Sequence, residues 1–264
     1  MALWVRYALR VKVRIDKLLV ERGLAPSRER AQALILAGKV LVNEQRIEKP
    51  GIAVANDVKI RLLAPDLPYV SRGGLKLEAA LRHWLIDVRH RVCMDVGAST
   101  GGFTDCLLQH GAGRVIAVDT GQGQLDFRLR QDPRVRLLEN TNARYLSAEH
   151  IGEPVEIVTI DVSFISATLV LPPVLAAAFA CTPEDKREVI VLVKPQFEAG
   201  REYVEKGGIV RDIAAQQAAV EKVRRCGLEL GARAVDVIDS PILGREGNRE
   251  FLVYARFVSC NLPE

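Results

Sequence analysis

Lys76, Asp161, Lys194 and Glu250 are the residues whose types and positions in this chain could move a proton. Asp161 follows an apolar run ending at Ile160, Lys194 follows one ending at Val193, and Glu250 opens another at Phe251. Lys76 lies near the start of a predicted helix that precedes the first apolar run of its region. If each run is a strand of an open α/β sheet, the carboxyl ends of the parallel strands gather at one edge, where such folds bind ligands. A final antiparallel strand begins at that edge, and a helix running antiparallel to its strand starts there. Two ammonium and two carboxylate groups then meet, a set that can orient a weakly acidic group and share its proton. Singly, each is an ordinary solvated charge; the chemistry rests on all four together. Pro195 is expected to hold Lys194 extended and to keep the chain from entering a helix at once.

A second candidate is Asp95-Val-Gly97-Ala98-Ser99-Thr100-Gly101-Gly102-Phe103, between a predicted strand and a predicted helix. Glycines in such a turn let the backbone bend tightly and approach a ligand closely. Ser99 stands where GxGxxG needs its second glycine, which argues against a dinucleotide pyrophosphate. The loop suits the methionine end of S-adenosylmethionine. The amino group can meet Asp95 or backbone carbonyls, and the carboxylate can meet loop N–H groups. Asp119 follows Gly97 by 22 residues, at the end of the next predicted strand. An acidic side chain there can accept both ribose hydroxyls. Asn142, after the third strand, stands where an adenine edge would be read, although Asn140-Thr-Asn142 would also serve as an Asx turn.

Holding these groups in place requires alternating strands and helices. Apolar runs predict strands at 92–96, 114–118, 135–138, 155–160, 189–193, 231–238 and 251–257. Helical spacing predicts helices at 74–85, 102–109, 167–180 and 213–226, the third being a buried helix despite Pro172 and Pro173. The fold class is therefore α/β, a seven-stranded doubly wound sheet whose last strand returns by a hairpin.

The charge is unevenly distributed. Residues 1–66 hold 13 Lys and Arg against 7 Asp and Glu, a net of +6, whereas residues 67–264 hold 24 against 26. A basic head on a near-neutral body is a footprint for a polyanion, either nucleic acid or an acidic membrane surface. In the head, Ile15, Leu18 and Leu19 recur at helical spacing up to Gly23. A second helix opens with Ser27 as N-cap and ends at Gly38. Short strands are expected at 39–43 and 58–62, around turns at Asn43-Glu44 and Pro50-Gly51. The expected division is a head at 1–63, a linker at 64–73 and a catalytic domain at 74–264.

Composition excludes several classes. With 48% hydrophobic and 27% charged residues over 264 positions, the chain is globular rather than disordered or fibrous. No stretch reaches the roughly 18 apolar residues of a membrane helix. Arg6, Arg10 and Lys12 interrupt the N-terminus, so no secretion signal is read there. Five scattered cysteines and four histidines supply neither a disulfide framework nor a metal-ligand spacing. The expectation is a soluble, cytoplasmic, metal-independent protein.

Arg14, Asp16, Ser27, Arg28, Arg30, Gly38, Val40 and Asn43 resemble the pattern of the RNA-binding module first seen in ribosomal protein S-four, over about residues 13–62. Further motifs follow in order: Ser71-Arg-Gly-Gly-Leu-Lys76-Leu, the Asp95–Thr104 loop, Asp161-Val-Ser-Phe-Ile-Ser166, Leu192-Val-Lys-Pro-Gln-Phe-Glu198 and Gly247-Asn-Arg-Glu250-Phe. With them, nearly the whole chain resembles the TlyA family, historically named hemolysin A. That family joins an S-four-type head to a methyltransferase domain of the FtsJ/RrmJ class. The resemblance implies a Rossmann-like methyltransferase sheet with a small N-terminal α+β RNA-binding domain. It implies 2′-O-methylation of cytidine in ribosomal RNA by S-adenosylmethionine, with ribosomal RNA or ribosomal subunits as partners and neither membrane nor metal.

Carried over position by position, the family's Lys–Asp–Lys–Glu set falls on Lys76, Asp161, Lys194 and Glu250. The implied cofactor residues are Asp95, Gly97, Ala98, Ser99, Gly101, Gly102, Phe103, Asp119 and Asn142. The implied RNA-binding residues are Arg14, Lys17, Ser27, Arg28, Arg30, Lys39 and Asn43. Leu-Pro-Tyr-Val precedes Ser71, where some members carry Arg and Trp. Because a ribose 2′-hydroxyl is a poor nucleophile at neutral pH, the protein must align oxygen, carbon and sulfur and help remove or share a proton. Two other classes compete with this reading. A membrane-active hemolysin leaves the Gly97 loop and the strand pattern unexplained. A non-catalytic RNA-binding factor that senses the cofactor has no use for an intact Lys–Asp–Lys–Glu set.

Overall fold

A computed structural model describes residues 12–63 and 67–257. The N-terminal segment read above, residues 64–66 of the linker and Cys260 lie outside the described residues. The chain divides between Leu67 and Pro68 into two compact units.

The first unit contains β1 (Lys12–Arg14), α1 (Ile15–Glu21), α2 (Arg28–Leu36), β2 (Val40–Val42), β3 (Gln45–Arg46), β4 (Ala53–Ala55) and β5 (Ile60–Leu62). Ile15, Leu18 and Leu19 of α1 pack against Ala31, Leu34 and Ile35 of α2 and against Val40 and Val42 of β2. Helical spacing puts those residues on facing stripes, which is why the two short helices hold together. Ser27 caps α2, its Oγ accepting the Arg30 N–H at 3.3 Å. β1 pairs with β4, and β2 pairs with both β3 and β5, all antiparallel. The two expected strands are therefore accompanied by three more, each of two or three residues, too short for an alternation pattern to reveal.

The second unit contains α3 (Gly73–His83), β6 (Val92–Val96), α4 (Gly102–Gln109), β7 (Arg114–Val118), α5 (Phe127–Arg130), β8 (Val135–Leu138), α6 (Ala148–Ile151), β9 (Ile157–Ile160), α7 (Ala167–Ala178), β10 (Arg187–Val193), α8 (Pro195–Glu198), α9 (Ile213–Glu229), β11 (Ala234–Asp239) and β12 (Phe251–Phe257). Seven strands form one sheet in the order β11-β12-β10-β9-β6-β7-β8. β10, β9, β6, β7 and β8 pair in parallel, while β12 runs antiparallel between β10 and β11. Hydrophobic clusters cover both faces, one under α7 and one under α3 and α4. This accounts for the near-continuous apolar runs in the parallel strands. The order reverses direction at β6, which makes the ends of β6 and β9 the switch point where a ligand seats.

Two local expectations are corrected and a third is met. The linker assigned to 64–73 ends earlier: Tyr69 is only 5% exposed within the core of the second unit, and the Val70 N–H donates to Asp105 at 2.8 Å. Pro195 does not delay a helix but begins one, as the first residue of α8. Its fixed φ suits that position, while Lys194 before it stays extended. α7 runs through Pro172 and Pro173, as read from the sequence. The Thr168 carbonyl that Pro172 cannot bond lies 3.9 Å from the Cys226 Sγ.

Candidate active site

All four proton-handling candidates lie at the carboxyl edge of the sheet, around one cleft of about 890 Å³. They form two pairs. Lys76, in the first turn of α3, donates to the carboxylate of Glu250, immediately before β12. Their side chains are only 10% and 3% exposed. Lys194, after β10, stands 2.6 Å from Asp161 Oδ1, after β9, and donates to Ser163 Oγ at 2.8 Å. The Lys194–Asp161 contact is charge against charge without hydrogen-bond alignment, since Asp161 Oδ1 is buried and accepts no hydrogen bond. Gly244 leaves room for the first pair: a Cβ there would stand 2.5 Å from Glu250 Oε1.

The glycine-rich loop runs from β6 into α4. Gly97 has φ +85°, and a Cβ on it would stand 2.5 Å from the Asp161 carbonyl. Its smallness lets the cofactor loop pass directly beside the turn that carries Asp161. Ser99 takes a left-handed φ of +49°. Asp119 fixes this shape, with Oδ2 accepting the Ser99 N–H and Oδ1 the Gly121 N–H, both at 2.7 Å. Each carboxylate oxygen keeps a further lone pair, so the side chain can still accept two ribose hydroxyls. Ala98, Gly102, Phe103 and Asn142 also border the cleft. Asn142 Oδ1 caps the turn after β8 by accepting the Arg144 N–H at 3.1 Å, leaving its amide group for a ligand.

Asp95 faces inward. Its Oδ2 accepts from the Thr104 N–H at 2.9 Å and from Thr104 Oγ1 at 2.7 Å, and its Oδ1 accepts from Thr159 Oγ1 at 3.3 Å. Burial pushes its carboxyl up to about 7 against the pull of the Thr104 hydrogen bonds. Asp95 therefore ties β6 to the start of α4 and to β9, while the residue also borders the cleft. The loop nonetheless fits S-adenosylmethionine: it offers N–H groups at a helix N-terminus, glycine clearances and an acidic ribose partner along one cleft.

In the first unit the implied RNA-binding residues differ in what they are free to do. Asp16 is buried and accepts from Arg14 Nε and Nη2 at 3.0 and 2.8 Å, from Arg28 Nε at 3.0 Å and from Gln32 at 3.0 Å. These bonds, that of Arg14 foremost, hold the Asp16 carboxyl far below the usual range. Arg14 and Arg28 are therefore set in position by Asp16 with their outer faces half exposed. Lys17 lies 3.7 Å from Glu21 and Lys39 is exposed. Ser27 is occupied as a cap, and Asn43, at φ +50°, accepts the Lys59 N–H at 3.1 Å. Arg30 supplies the capped N–H of α2.

The structure adds residues that pattern reading missed. Phe164 is 92% exposed at the cleft, with φ +65° and its ring 5.3 Å from that of Phe197. A bulky residue held left-handed and open to solvent is strained and usually functional. Its place within Asp161-Val-Ser-Phe-Ile-Ser166 was the available signal. Glu198 is a second: its buried carboxylate accepts from the Ala167 N–H and Ser166 Oγ and pairs with Lys222 at 3.3 Å. It thereby joins the turn carrying Lys194 to the segment carrying Asp161.

Residues 69–257 match the model of the FtsJ-like methyltransferase family, and residues 13–55 match that of the S4 domain. The chain is 45% identical over 246 residues to the 16S/23S rRNA (cytidine-2′-O)-methyltransferase TlyA of Mycobacterium tuberculosis, covering 93% of this chain and 90% of that protein. The chain belongs to the TlyA family of FtsJ-like methyltransferases. It is also 38% identical to a protein named Hemolysin A from Brachyspira hyodysenteriae, over 92% of this chain and 99% of that one. A solved, provisionally named hemolysin from Streptococcus thermophilus superposes with a TM-score of 0.69 at 41% identity, covering 95% of this chain and 90% of the other. The protein is thus a methyltransferase whose cofactor is S-adenosylmethionine, with an RNA-binding domain at its N-terminus. Among the described residues no helix is long and apolar enough to cross a membrane, and no cluster of three His, Cys, Asp or Glu could hold a metal.

Proposed function

We propose that the protein methylates the 2′-hydroxyl of a cytidine ribose in ribosomal RNA, as free RNA or within a ribosomal subunit, in the cytoplasm. The observation that carries this reading is the convergence of two lysine–carboxylate pairs on the cleft bordered by the Gly97 loop. S-adenosylmethionine, when bound, supplies a methyl group already activated by its sulfonium, so the protein's task is alignment and proton handling. The Gly97 loop N–H groups and Asp119 hold the two ends of the cofactor, as Asp95 holds the loop itself. Lys194 handles the hydroxyl proton. As an ammonium it faces Asp161 and Ser163, and to accept a proton it must first shed its own. Asp161 and Ser163 orient that amine, and the Lys76–Glu250 pair orients the acceptor hydroxyl from the opposite wall. Phe164 offers an exposed ring on which the target base can stack once it leaves its neighbours. The S4 domain supplies phosphate contacts through Arg14, Lys17, Arg28 and Lys39.

Purified protein, labelled S-adenosylmethionine and either free ribosomal RNA or intact subunits test this reading directly. Label is expected in 2′-O-methylcytidine after nuclease digestion. Label on a base nitrogen or carbon, or cofactor binding with no transfer to any RNA, would refute it, the latter leaving a cofactor-sensing RNA-binding factor.

A further inference from the structure

We propose that Arg72 and Arg245 form a phosphodiester-binding site at the mouth of the acceptor cleft, taking the backbone phosphates that flank the target ribose. This rests on the reading that the acceptor is RNA. Among the described residues four cationic side chains border the cleft: Arg72, Lys76, Lys194 and Arg245. The two lysines are held by Glu250 and Asp161. The two arginines are exposed. Arg72 has no hydrogen-bond or ion-pair partner among the described residues. Among the described residues Arg245 reaches only Glu246, at 3.9 Å, with both side chains in solvent at 93% and 63% exposure. Such a pair is too weakly held to compete with a phosphate.

Their placement gives the site its meaning. Arg72 is the N-cap residue of α3, one helical turn before Lys76. Arg245 stands in the segment between β11 and β12 that ends at Glu250. Because Lys76 is bonded to Glu250, the segments that carry Arg72 and Arg245 meet at that pair, and both arginines border the same cleft. The segment bearing Arg245 is fixed by Asn248, which is 1% exposed. Its Nδ2 donates to the Gly208 carbonyl at 2.7 Å, its Oδ1 accepts the Val210 N–H at 2.9 Å, and its own carbonyl accepts the Gly244 N–H at 2.9 Å. Gly207 and Gly208, the latter bonded to Asn248, have φ +93° and +77°, with nothing within 4 Å of where a Cβ would stand. Gly208 also borders the cleft, so the wall bonded to Asn248 carries no side chain there. A planar guanidinium suits a phosphate oxygen pair, and two of them on either side of one ribose select an internal nucleotide of a strand over a free nucleoside.

The test follows methyl transfer to a ribosomal RNA fragment at several salt concentrations, with cofactor affinity measured by calorimetry. Arg72→Ala and Arg245→Ala are each expected to raise KM for the RNA by about 3–10-fold. Each should also flatten the log–log salt dependence of RNA binding by about 0.7, the value of one single-strand phosphate contact. Lysine at either position should restore the salt slope and part of the KM. Arg224→Ala, which removes a partly exposed charge paired with Glu221 on α9, should move neither quantity. Unchanged KM and slope in both alanine variants would overturn the proposal. So would weakened cofactor binding in Arg72→Ala with no change toward RNA, which would assign that guanidinium to the cofactor carboxylate. A wild-type chain that methylates no RNA would sink the underlying reading as well, and that result is visible before any variant is made.

Discussion

The Lys76–Glu250 pair gives a sharp test of whether the acceptor wall is held by a buried charge pair. Glu250→Gln keeps the side-chain volume that Gly244 accommodates but leaves the Lys76 ammonium, 10% exposed, without a countercharge. Breaking a buried pair from one side costs about 3–5 kcal/mol, because the remaining charge stays desolvated. For a unit of this size each kcal/mol lowers the melting temperature by about 2–4 °C. The single variant should therefore melt about 6–20 °C below the wild type. Lys76→Met combined with Glu250→Gln removes the stranded charge, so the double variant should recover most of that loss. Differential scanning calorimetry of the four proteins closes the cycle, and methyl transfer is measured alongside. Stability should return in the double variant while transfer stays lost, separating the structural role of the pair from its place in the site. A Glu250→Gln protein melting within about 1 °C of wild type, or a double variant no more stable than the single, would refute the reasoning.

Three further outcomes are expected. Lys194→Ala should lower the transfer rate by roughly 10²–10⁴-fold with cofactor affinity little changed, and Lys194→Arg separates proton transfer from charge, since arginine does not deprotonate near neutral pH; near-normal turnover of the arginine variant in single-turnover assays would leave Lys194 a positioner. Asp119→Ala should weaken S-adenosylmethionine binding by about 1.5–3 kcal/mol in calorimetry, because it removes the ribose acceptor and frees the Ser99 and Gly121 N–H groups; unchanged affinity would place the ribose elsewhere. Asp95, with its carboxyl raised to about 7 by burial, stabilises the fold below the ordinary Asp range and loses that contribution as pH rises toward 7. The melting temperature of Asp95→Asn relative to wild type should accordingly climb between about pH 4 and 7, and parallel pH profiles would contradict the assigned burial.

The sequence determined the elements and the edge at which they deliver their side chains. Apolar runs of four to seven residues are dictated by burial on both faces of a sheet, so their positions and the residues after them could be read locally. Asp161, Lys194 and the Gly97 loop follow from that alone, and the antiparallel return of the last strand brought Glu250 to the same edge. What local pattern could not decide is which groups pair. The Lys76–Glu250 bond spans 174 positions and exists because β12 inserts between β10 and β11, a choice made by packing across the whole sheet. Likewise Asp95 reads as a ligand in the sequence, and its place at the cleft is joined by an internal fastening that the sequence does not show, because Thr104 and Thr159 reach it only once β6, β9 and α4 have docked. Tyr69 reads as linker but is drawn into the core, where Gly74 leaves the space its ring occupies. Periodicity records whether a residue is buried; only the assembled sheet decides what it is buried against.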